Sequence, residues 1–326
     1  MNNPLIAVRD IHFVSSVIVT GILFFDLFVA SPVLRAADLR HGTVMAVFRN
    51  RTTKILWIGL ALSILSALAW LCLLSARIAS KSLVEVVADG TVWVVLSRTQ
   101  FGFAWEVRFL LAAMLAAWLW LRPARGASAS FPLGFPATLL AGAYLGSLAF
   151  AGHGQEGLGF ERSIHLAVDF LHLIAAGLWL GGLIPLALLL VYLHRFREET
   201  WSSVACDVAS RFSNLGILAV GILLMSGIIN AAYLLGGIQN LVDTRYGRLL
   251  LLKMTLFATM VCLAGFNRQY LLPRLCNHVG IDPSARPLQW LIRSALAETA
   301  LGVGVIMIVG ILGVMAPATD IAAHVH

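Results

Sequence analysis

The sequence predicts an all-α protein that crosses a membrane several times, and three observations carry that expectation. Hydrophobic residues make up 60% of the 326-residue chain and charged residues only 12%, whereas soluble domains are nearer half apolar and a quarter charged. Mean hydropathy is +0.88. The apolar residues gather in long runs, each near the ~20 residues that a helix needs to cross a bilayer. Runs of that length span lipid only as helices, because every backbone polar group must then be satisfied internally.

Taken in order, the runs give about eight spans, roughly at 11–34, 55–76, 105–121, 132–151, 164–192, 212–235, 248–272 and 294–316. The first resembles a cleaved signal in Val29-Ala30-Ser31. Its apolar run is too long for that, it contains Asp26, and Arg35, Arg40, Arg49, Arg51 and Lys54 follow it. It is therefore expected to remain as a span. Residues 77–104 form the longest outside loop and predict short amphipathic pieces on the membrane surface. The linker RPARGASAS (122–130) divides the chain into 1–130, with three helices, and 131–326, with five. Within the fifth span, Gly177 and Gly181 stand four apart and predict a close helix contact, and Pro185 predicts a kink.

The loops after the first, third, fifth and seventh spans hold most of the basic residues, among them Arg35 to Lys54, Arg122, Arg125, Arg195, Arg197, Arg274 and Arg286. The positive-inside rule makes those loops cytoplasmic and both termini outward, which in a bacterium means the periplasm. The net charge of +7 thus reads as orientation, and nucleic-acid binding is not expected. The four cysteines make no CxxC pair, so neither a disulfide framework nor a thiolate zinc site is expected.

The histidines take sides in this topology. His12, His153, His165, His172, His324 and His326 fall at or just below the outer surface, and His41, His194 and His278 fall inside. Imidazole is the commonest metal ligand and suits copper, zinc and iron. In IHLAVDFLHLIAAGLWLGG (164–182), His165, Asp169 and His172 share one narrow helix face that descends from the outer surface, and Trp179 continues it. Ionisable groups at that depth belong against a cavity or a bundle interior. Two imidazoles and a carboxylate can hold a divalent ion, or the carboxylate can orient a ligating imidazole. The same three groups can equally form a hydrogen-bonded cluster that joins helices. His153 lies in GHG just upstream, where glycines let the loop fold close. The terminal HVH puts His324 and His326 on the same side of an extended chain, either as a metal-capture arm or as an unstructured end. Methionines in the spans show no paired spacing, and each is expected to fill gaps.

Other intramembrane polar groups are candidates for a pathway or for structural pairing. Glu298 sits a turn into the last helix from the cytoplasmic side, where Asn267 and Arg268 end the seventh. Arg248 and Lys253 begin the seventh helix from outside. Asp26 lies deep in the first.

Four stretches carry a resemblance: HLIAAGLWLGGLIPLALL (172–189), RFSNLGILAVGILLMSGIINA (211–231), TRYGRLLLLKMTLFATMVCLAGFNRQYLLPRL (244–275) and RSALAETALGVGVIMIVGILG (293–313). Together they resemble the copper-resistance protein D (CopD) family over about 170–316. The matching residues are His172 and Trp179, then Tyr246, Gly247, Arg248 and Lys253, then Asn267, Pro273, Arg274 and Glu298. The resemblance implies an inner-membrane protein of copper homeostasis that moves copper from the periplasm inward. It also implies a separate periplasmic copper-binding partner of the CopC type, since no soluble copper domain is fused here. Copper transport without an ATP-binding or aspartyl-phosphate motif is the leading expectation, with no enzymatic step. A haem-binding oxidoreductase and a ligand-free assembly partner are the alternatives.

Overall fold

A computed structural model describes residues 3–36, 43–121, 134–151, 160–196, 199–235, 237–277 and 286–315. Among the described residues the secondary structure is helical, with no strand. The chain begins with α1 (Asn3–Phe25), a π turn at Asp26–Ala30 and α2 (Ser31–Ala36). Then follow α3 (Thr43–Ala79), the short α4 (Leu83–Ala88) and α5 (Thr91–Arg98), α6 (Gln100–Leu121) and α7 (Phe135–Gly146), which runs on through a 3₁₀ turn at Ser147–Ala151. The second half holds α8 (Phe160–Phe196), α9 (Glu199–Leu235), the single turn α10 (Asn240–Asp243), α11 (Arg245–Phe266) with a π turn at Asn267–Leu271, α12 (Leu272–Asn277) and α13 (Arg286–Leu312).

Seven helical stretches among the described residues are long and apolar enough to cross a membrane, from Pro4–Ala36 to Arg286–Leu312. The expected span at 132–151 is present as the shorter apolar helix Phe135–Phe150. The surface loop is two short helices, as expected. Ser82 caps α4 by accepting from the Glu85 amide while the Glu85 carboxylate accepts from the Ser82 amide. Gly90, at φ 74°, makes the left-handed turn into α5. Val84, Val87, Trp93 and Val94 are exposed on this pair, a pattern suited to lying in the interface.

Both π turns sit just before a proline, Pro32 in α2 and Pro273 in α12. Proline donates no hydrogen bond and crowds the carbonyl four residues back, and widening the preceding turn accommodates it. Pro185 behaves otherwise: α8 runs unbroken through it.

The core is centred on α8. Trp179, Leu183, Leu186 and Leu190 pack with residues from the inner ends of α1, α9 and α13. The α1–α8 crossing is backbone against backbone: a Cβ added at Gly21 would lie 2.0 Å from the carbonyl carbon of Gly181. Gly177 likewise faces Leu145 and Thr20, as the glycine spacing predicted.

Side-chain bonds fix the antiparallel order of the passes. Arg9 near the start of α1 donates to the Gly313 carbonyl just past α13 at 2.8 Å and lies over the Trp70 ring. Asn267 after α11 meets Glu298 midway along α13, about three turns in rather than the one turn expected because the helix begins at Arg286, and Gln289 near the start of α13 meets His194 at the end of α8. One end of the bundle thus gathers the start of α1 and the ends of α3 and α13. The other gathers the end of α11 and the starts of α9 and α13.

A disulfide joins Cys206 in α9 to Cys276 in α12, with Cα atoms 5.3 Å apart. This corrects the expectation of no disulfide, which rested on the absence of a CxxC pair. These two are 70 residues apart, and the fold brings them together by laying α12 beside the start of α9.

Candidate functional site

The face of α8 named from the sequence is met, turn for turn, by one stripe of the antiparallel α9. The His165 ring stacks on Tyr233 with centroids 4.7 Å apart. Asn230 Nδ2 donates to Asp169 Oδ1 at 3.0 Å. His172 Nδ1 lies 2.8 Å from Ser226 Oγ, and Gly227 leaves room beside the ring. His165 is buried, whereas Asp169 and His172 are half-buried.

The Ser226 bonds decide the tautomer of His172. Ser226 has a single hydroxyl proton, and it donates that proton back to the Ile222 carbonyl. Its oxygen can then only accept from the imidazole. His172 therefore carries its proton on Nδ1, and Nε2 keeps the lone pair. This is how ligating histidines are held, with the second ring nitrogen donating to an oxygen that fixes the ring.

Lys253 of α11 is half-buried and close enough to act electrostatically on both Asp169 and His172. Arg248, one turn earlier, is exposed. Among the described residues no three His, Cys, Asp or Glu side chains converge on a common point that could hold a metal ion. His153, His324 and His326 lie outside the described residues.

Deeper along α8, the buried Trp179 ring packs edge-on against Phe257 and lines a cavity of about 220 Å³. The rest of the wall includes Phe212, Ser213, Asn267, Arg268, Leu272 and Glu298. Glu298 is buried at 2% exposure and accepts from Asn267 Nδ2 at 2.6 Å. Arg268 turns away from Glu298 and donates to Ser213 Oγ and Asn214 Oδ1. The side-chain oxygens of Asn230, on the entry stripe, and Asn267, on the cavity wall, are buried without a hydrogen-bond partner.

Sequence reasoning missed a second polar centre in the first half. His12 is fully buried, with Nδ1 2.9 Å from the Ser63 carbonyl and Nε2 facing the Arg108 guanidinium. Arg108 also donates to the Tyr144 carbonyl and to Ser147 Oγ at 2.7 Å. Ser63 Oγ bonds the Tyr144 hydroxyl and Ser16 Oγ. Since arginine only donates, His12 Nε2 accepts from it and Nδ1 donates to Ser63, which leaves no lone pair on this ring for a metal. The signal available was Arg108 itself, a cation at the head of an apolar helix.

The comparisons agree with this architecture. Residues 207–312 match the family model "Copper resistance protein D", and residues 1–164 match "Copper resistance protein D-like, N-terminal domain". Copper resistance protein D of Pseudomonas syringae pv. tomato is 31% identical over 329 aligned positions, covering 97% of this chain and 98% of that protein. Inner membrane protein YebZ of Escherichia coli (strain K12) is 28% identical over 96% of this chain and 98% of its own length. Copper transport protein CutJ of Bacillus subtilis (strain 168) is 33% identical over 159 positions, which is 49% of this chain and 26% of that protein. No solved structure matches the chain. The two family models, the near full-length relatives and the membrane-length helices place it: the chain belongs to the copper resistance protein D family, a multi-pass protein of the bacterial inner membrane with a copper-related function.

Proposed function

We propose that the protein conducts copper ions inward across the inner membrane and so contributes to copper resistance. The observation that carries this is His172, whose Nδ1 is committed to Ser226 so that Nε2 keeps its lone pair at the depth where α8 enters the bilayer. Copper arrives from a small periplasmic copper-binding protein of the CopC type. His153 and the pair His324 and His326 capture it at the outer surface. It passes the α8–α9 stripe at His165, Asp169 and His172, and then Trp179, to reach the cavity beside Glu298. The unpartnered oxygens of Asn230 and Asn267 support this route, because a buried acceptor without a donor suits a passing cation or its water. Transport on this route breaks no covalent bond, and the protein acts as a permease. Lys253 is the obstacle built into it: a cation beside Asp169 competes with the lysine for the same carboxylate.

The test is copper accumulation in cells that express wild type or His172→Ala at equal membrane abundance. The variant should lose most copper-dependent uptake. Normal uptake at normal abundance would make His172 a structural residue and overturn this route. Metal analysis and an optical spectrum of the purified protein separate the alternatives: a Soret band marks haem, copper without one marks transport, and neither marks an assembly partner.

A further inference from the structure

The inner end of the bundle holds one more arrangement of ligating atoms. Cys206 lies one turn before Ala209, and Cys276 one turn after Leu272. Ala209 and Leu272 both line the cavity that contains Trp179 and Glu298. The cysteine pair therefore lies one helical turn beyond the cavity wall towards the inner end, on the same two elements. Both cysteines are half-buried, and Ser210 Oγ stands 3.9 Å from Cys206 Sγ. Arg195, Arg197, Arg274 and Arg286 stand at or between the helix ends on this side, which makes this end cytoplasmic. Cytosolic thiols are kept reduced. The structure joins the two sulfurs, but in the cytosol the pair is expected as a dithiol.

We propose that Cys206 and Cys276, in their reduced form, make a two-thiolate Cu(I) site that receives copper from the cavity at the cytoplasmic end of the protein. Thiolate is the ligand class that selects Cu(I). With Cα atoms 5.3 Å apart, rotation about the side-chain bonds lets both sulfurs reach one ion without moving either helix. The disulfide is first opened by a low-molecular-weight thiol of the glutathione class, as RSSR + 2 R′SH → 2 RSH + R′SSR′. Binding then exchanges protons for the metal, as 2 RSH + Cu⁺ → (RS)₂Cu⁻ + 2 H⁺, and no electron moves. Affinity consequently rises with pH. The site rests on the copper reading above, since it takes its ion from that route.

The experiment uses the full-length protein in detergent under anaerobic conditions, in reduced and oxidised preparations. Each receives Cu(I) as its bicinchoninate complex, and retained copper is counted after gel filtration. Reduced wild type should hold one more Cu(I) per chain than oxidised wild type, with sulfur neighbours in the copper X-ray absorption spectrum. Reduced Cys206→Ser and Cys276→Ser should match the oxidised protein. A Cys72→Ser/Cys262→Ser variant, which lacks the two free cysteines, should keep the extra ion. Equal copper in reduced and oxidised wild type, a comparison that needs no mutation, would overturn the site. So would an extra ion that survives Cys206→Ser. Acid-quenched, alkylated cells should show both cysteines as free thiols, and a complete disulfide in those cells would make the pair a structural crosslink. His172→Ala should leave the cysteine-dependent ion in place, so failure of the entry route and failure of this site are read on different variants.

Discussion

At the residue scale, the contrast between His12 and His172 shows why position alone does not identify a ligand. Both rings are set in polar surroundings near the outer end of the bundle. His12 has both nitrogens engaged, while the proton count at Ser226 leaves His172 Nε2 as an electron-pair donor. Removing the hydroxyl should therefore matter more than its size suggests. Ser226→Ala is expected to weaken copper binding by ~10–100-fold, the usual cost of losing a group that orients a ligand, with helix content unchanged. Copper titration of the purified variant checks this, and unchanged affinity would count against His172 as a ligand. Lys253→Met should act in the opposite direction and tighten copper binding, because Asp169 is then released from its ammonium neighbour; weaker binding in the same titration would refute the competition. The face of His165, Asp169 and His172 was legible from helical spacing. The Tyr233, Asn230 and Ser226 stripe was not, because one helix's periodicity does not say which neighbour it meets. Arg108 was missed because its hydrogen-bonding partners His12, Tyr144 and Ser147 come from other helical segments.

At the element scale, glycine positions decide how close the passes lie. The α1–α8 crossing depends on Gly21 and Gly181, where a Cβ at Gly181 would fall 2.1 Å from the Val17 carbonyl oxygen. Because the obstacle is backbone, no rotamer change relieves it. Gly181→Ala should separate the helices at a cost of about 1–3 kcal/mol, the usual range for an overpacked core. Thermal unfolding in detergent should show that loss, while the surface glycine variant Gly221→Ala, with open space at its Cβ, should not. The close contact at Gly177 and Gly181 followed from sequence, since small residues four apart are a known device. The π turns did not, since the proline that provokes each one is visible but the helix's choice between kinking and widening is a tertiary outcome. The Cys206 and Cys276 pairing was hidden for a related reason: a separation of 70 residues is closed only by the return of α12 along α9.

At the scale of the whole molecule, the polar groups gather in two places, the His12–Arg108 centre with the nearby α8–α9 stripe, and the cavity of Trp179 and Glu298. The order of the long apolar helices was legible from hydropathy, although seven rather than eight reach membrane-spanning length among the described residues, and loop charge supplies the expected side of each end. Reporter fusions at residues 40, 124, 200 and 285 should all report cytoplasm, and a periplasmic signal from two of them would refute the orientation. The short pass carries a consequence for the surroundings of the protein. Phe135–Phe150 has 16 residues and reaches ~24 Å at 1.5 Å per residue, less than the ~30 Å hydrocarbon layer. Phe135, Leu139 and Phe150 are exposed along it. Acyl chains beside that pass must compress or splay to meet it, while those beside the longer helices do not. Shorter acyl chains therefore match that flank better than longer ones.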